Sequence, residues 1–232
     1  QNKLVVPAEL EIADGLPAVV PFGLKEFFLK DMSRTVEAWI KCEVAEGKDP
    51  AAHFKLKADP EDRPEYQAVD GTHFYTSFGE SSSLKLRGKV LHPAIVVDPE
   101  VLFGSRLDFA EPQEFLARTP FAPEAQVLEN KTPCAFSLYK IQLEPEETVT
   151  FYSLIGESVE GAKFSKDLPR LRDPKYFAAK EREAREVVQR LQDPLTTVSG
   201  SSRFDDYCRQ TFLDNVLRGG YPHRMTGPEG DF

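Results

Sequence analysis

Two hydrophobic periods divide the chain, separated by turn-rich stretches. From Arg34 to Val44 apolar and polar positions alternate, with Val36, Ala38, Ile40, Cys42 and Val44 on one face and Thr35, Glu37, Trp39, Lys41 and Glu43 on the other. Period two predicts a strand. A helix over 24–44 is the competing reading, but Thr35, Val36, Trp39 and Ile40 favour β. Further strands are expected at Thr72–Phe78, Leu84–Val90, Ala94–Val97, Ala135–Leu143 and Thr148–Ile155. Glu80–Ser83 reads as a hairpin loop, and the turn at Pro145-Glu-Glu makes Lys140–Leu143 and Thr148–Tyr152 a second hairpin. Residues 1–22 read as extended, interrupted by Pro7, Pro17 and Pro21. Residues 45–71 read as polar loop. Pro99–Gly104 and Phe109–Phe121 read as irregular, with one helical turn near Pro112–Leu116.

After Gly161 the period becomes 3.6. Asp173 caps and Pro174 opens a helix to about Gln192. Its apolar stripe is Phe177, Ala184, Val187, Val188 and Leu191, with Glu181–Arg185 and Glu186–Arg190 as i,i+4 pairs. A second helix is predicted over 203–218. Ser202 and Asp205 form a capping-box pattern. Phe204, Tyr207, Cys208, Thr211, Phe212 and Asn215 share one face, predicted to point inward. Gly219, Gly220 and Pro222 end the helix. The pattern predicts a mainly β fold: an antiparallel β-sandwich over 1–162, then a two-helix linker over 163–232.

An inward face of aromatics, Cys, Thr and Asn expects a large partner with polar groups. The chain ends ten residues after Pro222, so most of that partner is expected beyond it. The start, Gln1-Asn-Lys, has neither an initiator Met nor a signal peptide, which leads to the expectation of a fragment cut from a longer chain.

Composition adds exclusions. Hydrophobic residues are 41% and charged residues 29%, ordinary for a globular chain with a sizeable core. No apolar run approaches the ~20 residues of a membrane span. The net charge is −9, but residues 1–162 carry 16 Lys+Arg against 27 Asp+Glu, whereas 163–224 carry 13 against 9. An acidic front argues against nucleic acid or an anionic membrane as partner. Cys42, Cys134 and Cys208 lie far apart, without disulfide or zinc spacing, and read as buried free thiols of a reducing, cytoplasmic compartment. His53, His73, His92 and His223 form no metal pair, and no nucleophile elbow or phosphate loop is present.

Candidate chemistry is sparse. Asp205 and Asp206 point about 100° apart on a helix, so they cannot flank one glycosidic bond. They read as charges complementing the helix dipole. Asn215 is either a buried amide bridging to neighbouring helices or a ligand for sugar hydroxyls. Gly219 is predicted to cap the helix in a left-handed conformation. Arg218 either complements the helix C-terminus or reaches outward, where its planar fork suits phosphate. Trp39 either stacks on sugar or packs against a second layer.

The run Arg209-Gln-Thr-Phe-Leu-Asp-Asn-Val-Leu-Arg-Gly-Gly-Tyr-Pro222 resembles the opening of the helical barrel in glycoside phosphorylases of the cellobiose phosphorylase type. The likeness is greatest to the 1,2-β-oligoglucan phosphorylase branch. Leu24–Lys41 and His92–Gly104 also resemble that branch's β-sandwich region. The resemblance implies a galactose-mutarotase-like supersandwich, a helical linker and then an (α/α)6 barrel that carries the catalytic Asp. No position here matches that Asp. The implied reaction is phosphorolysis of a β-glucoside with inversion, needing inorganic phosphate as co-substrate but no cofactor or metal. The implied partners are the downstream helical barrel, an oligosaccharide substrate and a second subunit in a homodimer. Arg218, Gly219, Gly220 and Asn215 are the candidate substrate-binding residues. The alternatives are an independent carbohydrate-binding module and a structural interaction module without catalysis.

Overall fold

The structure, a computed structural model, describes residues 1–61, 64–82, 90–106, 108–118, 121–123, 125–220, 226–228 and 230–231. Its strands are β1 (Ala8–Leu16), β2 (Ile40–Ala45), β3 (Ala51–Leu56), β4 (Thr72–Ser81), β5 (Val90–Leu91), β6 (Ala94–Val96), β7 (Ala135–Leu143), β8 (Val149–Ser158), β9 (Thr226–Gly227) and β10 (Gly230–Asp231). Its helices are α1 (Glu26–Asp31), α2 (Glu100–Phe103), α3 (Gln113–Ala117), α4 (Gly161–Leu171), α5 (Pro174–Gln192) and α6 (Ser202–Gly219), with a 3-10 helix over Ser33–Trp39. No described helix is long and apolar enough to cross a membrane. The chain divides into two compact units, Gln1–Asp173 and Pro174–Phe232.

The first unit is mainly β and holds two antiparallel sheets. One has the order β1-β7-β6. The other has the order β2-β3-β4-β5, and β8 pairs along the whole of β4, from Thr72↔Ser158 to Ser81↔Val149. Side chains of the two sheets meet in a shared core: Ile40, Cys42, Ala52, Phe54, Leu56 and Tyr75 from one, Ile95, Val97 and Ala135 from the other. Burial of such side chains is what offsets the entropy of ordering the strands. Asp14 of β1, Ser77 of β4, Tyr139 of β7 and Ser153 of β8 add a polar seam. Tyr75 Oη donates to the Asp14 carbonyl and to Ser137 Oγ, both at 3.1 Å, and Ser77 Oγ lies 2.7 Å from Tyr139 Oη. No described buried side-chain polar atom lacks a partner, so the seam carries no desolvation penalty of the kind an unpaired group would impose.

Several expectations hold. β4, β6, β7 and β8 lie where turns and periodicity place them, β1 falls in the stretch read only as extended, α3 falls at the expected helical turn, and α5 and α6 match the two helices expected after residue 173. Others fail for identifiable reasons. The alternation over Arg34–Val44 becomes a strand only from Ile40. Before it, Ser33 takes φ +50, the Thr35 hydroxyl donates back to the Met32 carbonyl, and the backbone winds into the 3-10 helix. Such local side-chain bonds compete with strand pairing. The stretch read as loop over 45–71 contains β3. Ala52, Phe54 and Leu56 are buried and alternate with half-buried His53 and Lys55, a period of two that spans only a few residues between turn-rich stretches.

The expected hairpin of β7 and β8 does not form. β7 pairs with β1 and β6, β8 with β4, and the turn between them carries the chain from one sheet to the other. Buried Glu147 holds that turn, accepting the Glu144 N–H at 2.9 Å and the Ser81 hydroxyl. β4 runs through Ser81 into the expected Glu80–Ser83 loop, and the strand expected at Leu84–Val90 lies, apart from Val90, outside the described residues. Pro99–Gly104 holds the short helix α2. Three helices rather than two follow the last long strand. α4 buries Phe164, Leu168 and Leu171, at i, i+4 and i+7, despite Pro169 in its last turn.

Candidate functional site

Helix α6 carries every residue that the sequence nominates. Its N-cap is Ser201, with extended backbone at φ −131 and ψ 107 and no side-chain cap hydrogen bond. The capping box expected at Ser202 and Asp205 therefore does not form. Asp205 instead reaches back to the Ser199 N–H, with its carboxylate oxygens at 3.0 and 3.2 Å. That hydrogen bond holds its carboxyl below the usual carboxylate range.

The face of α6 is rotated from the expected one. Leu213 and Val216 are buried, and Asp205, Cys208, Arg209 and Phe212 flank them half-buried. Phe204 and Tyr207 are 54% and 67% exposed, and Thr211, Asn215 and Arg218 continue their stripe in the open. Aliphatic residues take the interior because their transfer from water has no polar group to satisfy. The aromatic and polar stripe lies about half a turn away from Leu213 and Val216, at 100° per residue.

Arg218 donates from Nε to Asp214 Oδ1 at 3.0 Å, an i,i+4 surface pair, and both side chains are largely exposed. Gly219 is the last helical residue. The positive φ of +80 belongs to Gly220, so the predicted left-handed cap lies one residue later than expected. Gly220 N–H still donates to the Val216 carbonyl at 2.8 Å. Asn215 is exposed, and among the described residues its amide makes no hydrogen bond. Tyr221, Pro222 and His223 lie outside the described residues. The structure thus brings Asn215, Arg218, Gly219 and Gly220 together at the exposed C-terminal end of one helix.

The most tightly built polar centre is elsewhere. Arg172, just after α4, has a side chain only 3% exposed. Its Nη1 donates to the Pro50 carbonyl (3.1 Å), Thr76 Oγ1 (2.7 Å) and the Ser77 carbonyl (2.8 Å). Nη2 meets His92 Nδ1 at 3.1 Å, Nε lies 3.5 Å from Asp49 Oδ1, and the Phe78 ring sits 5.4 Å from the guanidinium carbon. Burial pulls its pKa down, and Asp49 opposes that shift. Burial, then the Arg172 charge, likewise pulls the His92 pKa down. This constellation gives Nη1, Nη2 and Nε each a fixed protein partner. It anchors the end of α4 to β4, which suits architecture.

A cleft of about 370 Å3 lies beside α2 and α3, lined in part by Asp98, Glu100, Ser105, Glu114 and Arg118. Asp98 is buried and accepts the Glu100 and Val127 N–H groups and Lys131 Nζ, at 3.1, 3.0 and 2.6 Å. Lys131 bridges on to Glu100 at 2.8 Å. Asp98 closes the resembling run His92–Gly104 onto the segment around residue 127. The sequence reading missed both Asp98 and Arg172. The apolar run ending in Asp98-Pro99 is a signal for the first. Nothing in the sequence separates Arg172 from its charged neighbours.

Other sequence candidates resolve as structure. Trp39 packs half-buried on the core. His53 meets the Phe164 ring edge-on, with centroids 5.0 Å apart. His73 Nδ1 lies 2.6 Å from the Val20 carbonyl oxygen. Cys42 and Cys134 are buried and Cys208 is half-buried, all free thiols. Among the described residues no group of His, Cys, Asp and Glu has metal-holding geometry. Neither a model of any known protein family nor any curated protein matches the chain.

Proposed function

We propose that the chain is the β-sandwich and linker portion of a glycoside phosphorylase of the cellobiose phosphorylase type, most like the 1,2-β-oligoglucan branch, and that it is not catalytic alone. In this reading the two sheets are the layers of a galactose-mutarotase-like supersandwich. The helices after residue 160 lead into a cytoplasmic enzyme's (α/α)6 barrel, which supplies the acid and the phosphate site. The single supporting observation is the uncovered stripe of α6. Phe204, Tyr207, Thr211, Asn215 and Arg218 form the aromatic and polar face of the helix whose sequence resembles the barrel's opening. Two aromatics so exposed on one helix suit docking against a larger partner that also offers polar groups. Arg218 and the Gly219-Gly220 turn then lie at the rim of the active site, where a guanidinium fork can take phosphate or sugar hydroxyls.

The test is phosphorolysis of β-linked gluco-oligosaccharides by the product of the whole open reading frame, scored as sugar 1-phosphate. Release from at least one β-linkage, with none from the 232-residue chain, is expected. No release from any linkage overturns the assignment. Sugar binding by the 232-residue chain alone would favour an independent carbohydrate-binding module.

A further inference from the structure

β1 and β8 are edge strands. Among the described residues β1 pairs only with β7, and β8 only with β4. The two edges lie on the same side of the first unit and are tied together. Ser153 Oγ donates to Asp14 Oδ2 at 2.7 Å, and Ile12 and Phe151 join one apolar cluster. By the period of two, Leu10, Ile12, Asp14 and Leu16 face the space between the sheets from β1. Phe151, Ser153, Ile155 and Glu157 face it from β8. Residues facing such a space are ordinarily covered by the opposite layer. Here Leu10 and Leu16 are each 41% exposed and Ile155 is 46% exposed, with Asp14, Ser153 and Glu157 open beside them. The sheet of β1 is one strand too narrow to cover β8.

The edge is also lightly guarded. Sheets ordinarily blunt a free edge with lysine, proline, a bulge or an inward-pointing charge, and of these β1 has only Asp14, whose carboxylate already accepts the Ser153 hydroxyl. β1 and β8 contain no Lys, Arg or Pro, and the β1–β7 register runs unbroken from Ala8↔Leu143 to Leu16↔Ala135. The far edge of the five-stranded sheet differs: Cys42 N–H donates to the Leu128 carbonyl (2.7 Å) and Asn130 N–H to the Ile40 carbonyl (3.1 Å), which covers β2. Charge narrows what fits the open edge. The two strands carry Glu9, Glu11, Asp14 and Glu157. Glu11 already accepts the Phe121 N–H and faces Lys140 at 3.8 Å, and Glu157 faces His73 at 3.4 Å. Glu9 is exposed and has no partner among the described residues.

We propose that the free edge of β1 accepts an extended segment of a partner protein in which apolar residues alternate with lysine or arginine. The segment adds a fourth strand beside β1 by main-chain hydrogen bonds. Its apolar side chains cover Leu10, Leu16 and Ile155. Its basic side chains, on the opposite face, meet Glu9. The inference does not depend on the phosphorylase assignment.

The test uses the full chain and a capped nonapeptide of alternating valine and lysine, followed by fluorescence anisotropy and by amide hydrogen exchange. Saturable binding that slows exchange across 9–15 is expected, weakening as salt is raised past the Debye screening regime. Glu9→Lys should weaken it about three- to tenfold, the size of an exposed charge pair or slightly more. Leu10→Lys should abolish it. No protection of β1 at saturating peptide overturns the proposal. So does equal binding of a valine–glutamate peptide, or of a valine–lysine peptide with N-methylated backbone. Dimerisation through β1 without peptide overturns it in favour of a second copy as occupant.

Discussion

Replacing Arg172 should be among the most damaging single changes in the first unit. The guanidinium makes four hydrogen bonds at 2.7–3.1 Å and one ion pair at 3.5 Å from a side chain 3% exposed. Arg172→Ala takes a donor from the Ser77 carbonyl and leaves Phe78 beside a void, while the Thr76 hydroxyl and the Pro50 carbonyl lose Arg172 but keep their bond to each other at 2.8 Å. A hydrogen bond to a charged donor contributes about 1.5–3 kcal/mol, and the four cannot add fully because they share one group. Breaking a buried ionic contact costs about 3–5 kcal/mol when a charge is left stranded. Asp49 is half-exposed and can be rehydrated, so the lower part of that range applies. We expect a loss of about 3–4 kcal/mol for Arg172→Ala. Arg172→Lys supplies three donors from one point, which cannot span both the carbonyls and His92, and should cost about 1–3 kcal/mol. Arg172→Met keeps the volume but no donor and separates packing from hydrogen bonding. Trp39 is the only Trp and packs on the core of the first unit, so its fluorescence in urea reports this unit. An Arg172→Ala loss below about 1 kcal/mol, or a Met variant as stable as the parent, would refute the hydrogen-bond argument.

In native protein a thiol reagent should modify Cys208 alone, and all three cysteines after denaturation. Desolvation pushes the Cys42 thiol up to about 12 and the Cys134 thiol higher still. Gly15→Ala should prevent or severely weaken folding, because its Cβ would sit 1.9 Å from the Ala135 carbonyl oxygen, a backbone atom of the paired strand; wild-type urea midpoints would contradict it. Stability should fall on acidification from about pH 7 to 5, since burial depresses the pKa of both His53 and His92 and the unfolded chain then binds more protons than the native one. His92→Asn should flatten part of that slope, and an unchanged slope would assign the effect elsewhere. If the proposed phosphorylase assignment holds, Arg218→Ala in the product of the whole open reading frame should lower kcat/KM about 10- to 150-fold, the loss of one charge-assisted contact, while urea midpoints stay put because a surface pair contributes under about 1 kcal/mol. Intact kinetics with a lower melting temperature would make Arg218 a structural residue.

Long elements with a strong local signal were legible. β7 alternates buried and open from Ala135 to Leu143, and α5 opens at Asp173-Pro174 with its Glu181–Arg185 pair at 2.7 Å. α6 was legible as a helix, and its aromatic and polar face, with Phe204, Tyr207 and Asn215, stands uncovered in this chain. What the pattern did not show is that Leu213 and Val216 supply the face that is buried here. β3 was lost because its alternation over Ala52–Leu56 is short and contains no β-branched residue, so its strand propensity is weak beside the turn residues that flank it.

The case of β7 and β8 shows what a local reading lacks. Two strands joined by a five-residue turn are ordinarily a hairpin. In this protein the turn's own chemistry selects otherwise. Glu147 turns its carboxylate inward to the Glu144 N–H and the Ser81 hydroxyl, and its carbonyl accepts the N–H of Asn2 at 2.9 Å. Asn2 in turn donates through Nδ2 to the Leu143 and Val6 carbonyls, both at 3.0 Å. The groups that hold the turn thus come from the chain's first residues and from the end of β4. None lies within the window that a hairpin rule inspects. Because β8 leaves β7 here, β1 takes the place beside β7 that a hairpin partner would fill. That exchange puts β1 and β8 at the margins of different sheets, and the uncovered row of Leu10, Leu16 and Ile155 follows from it.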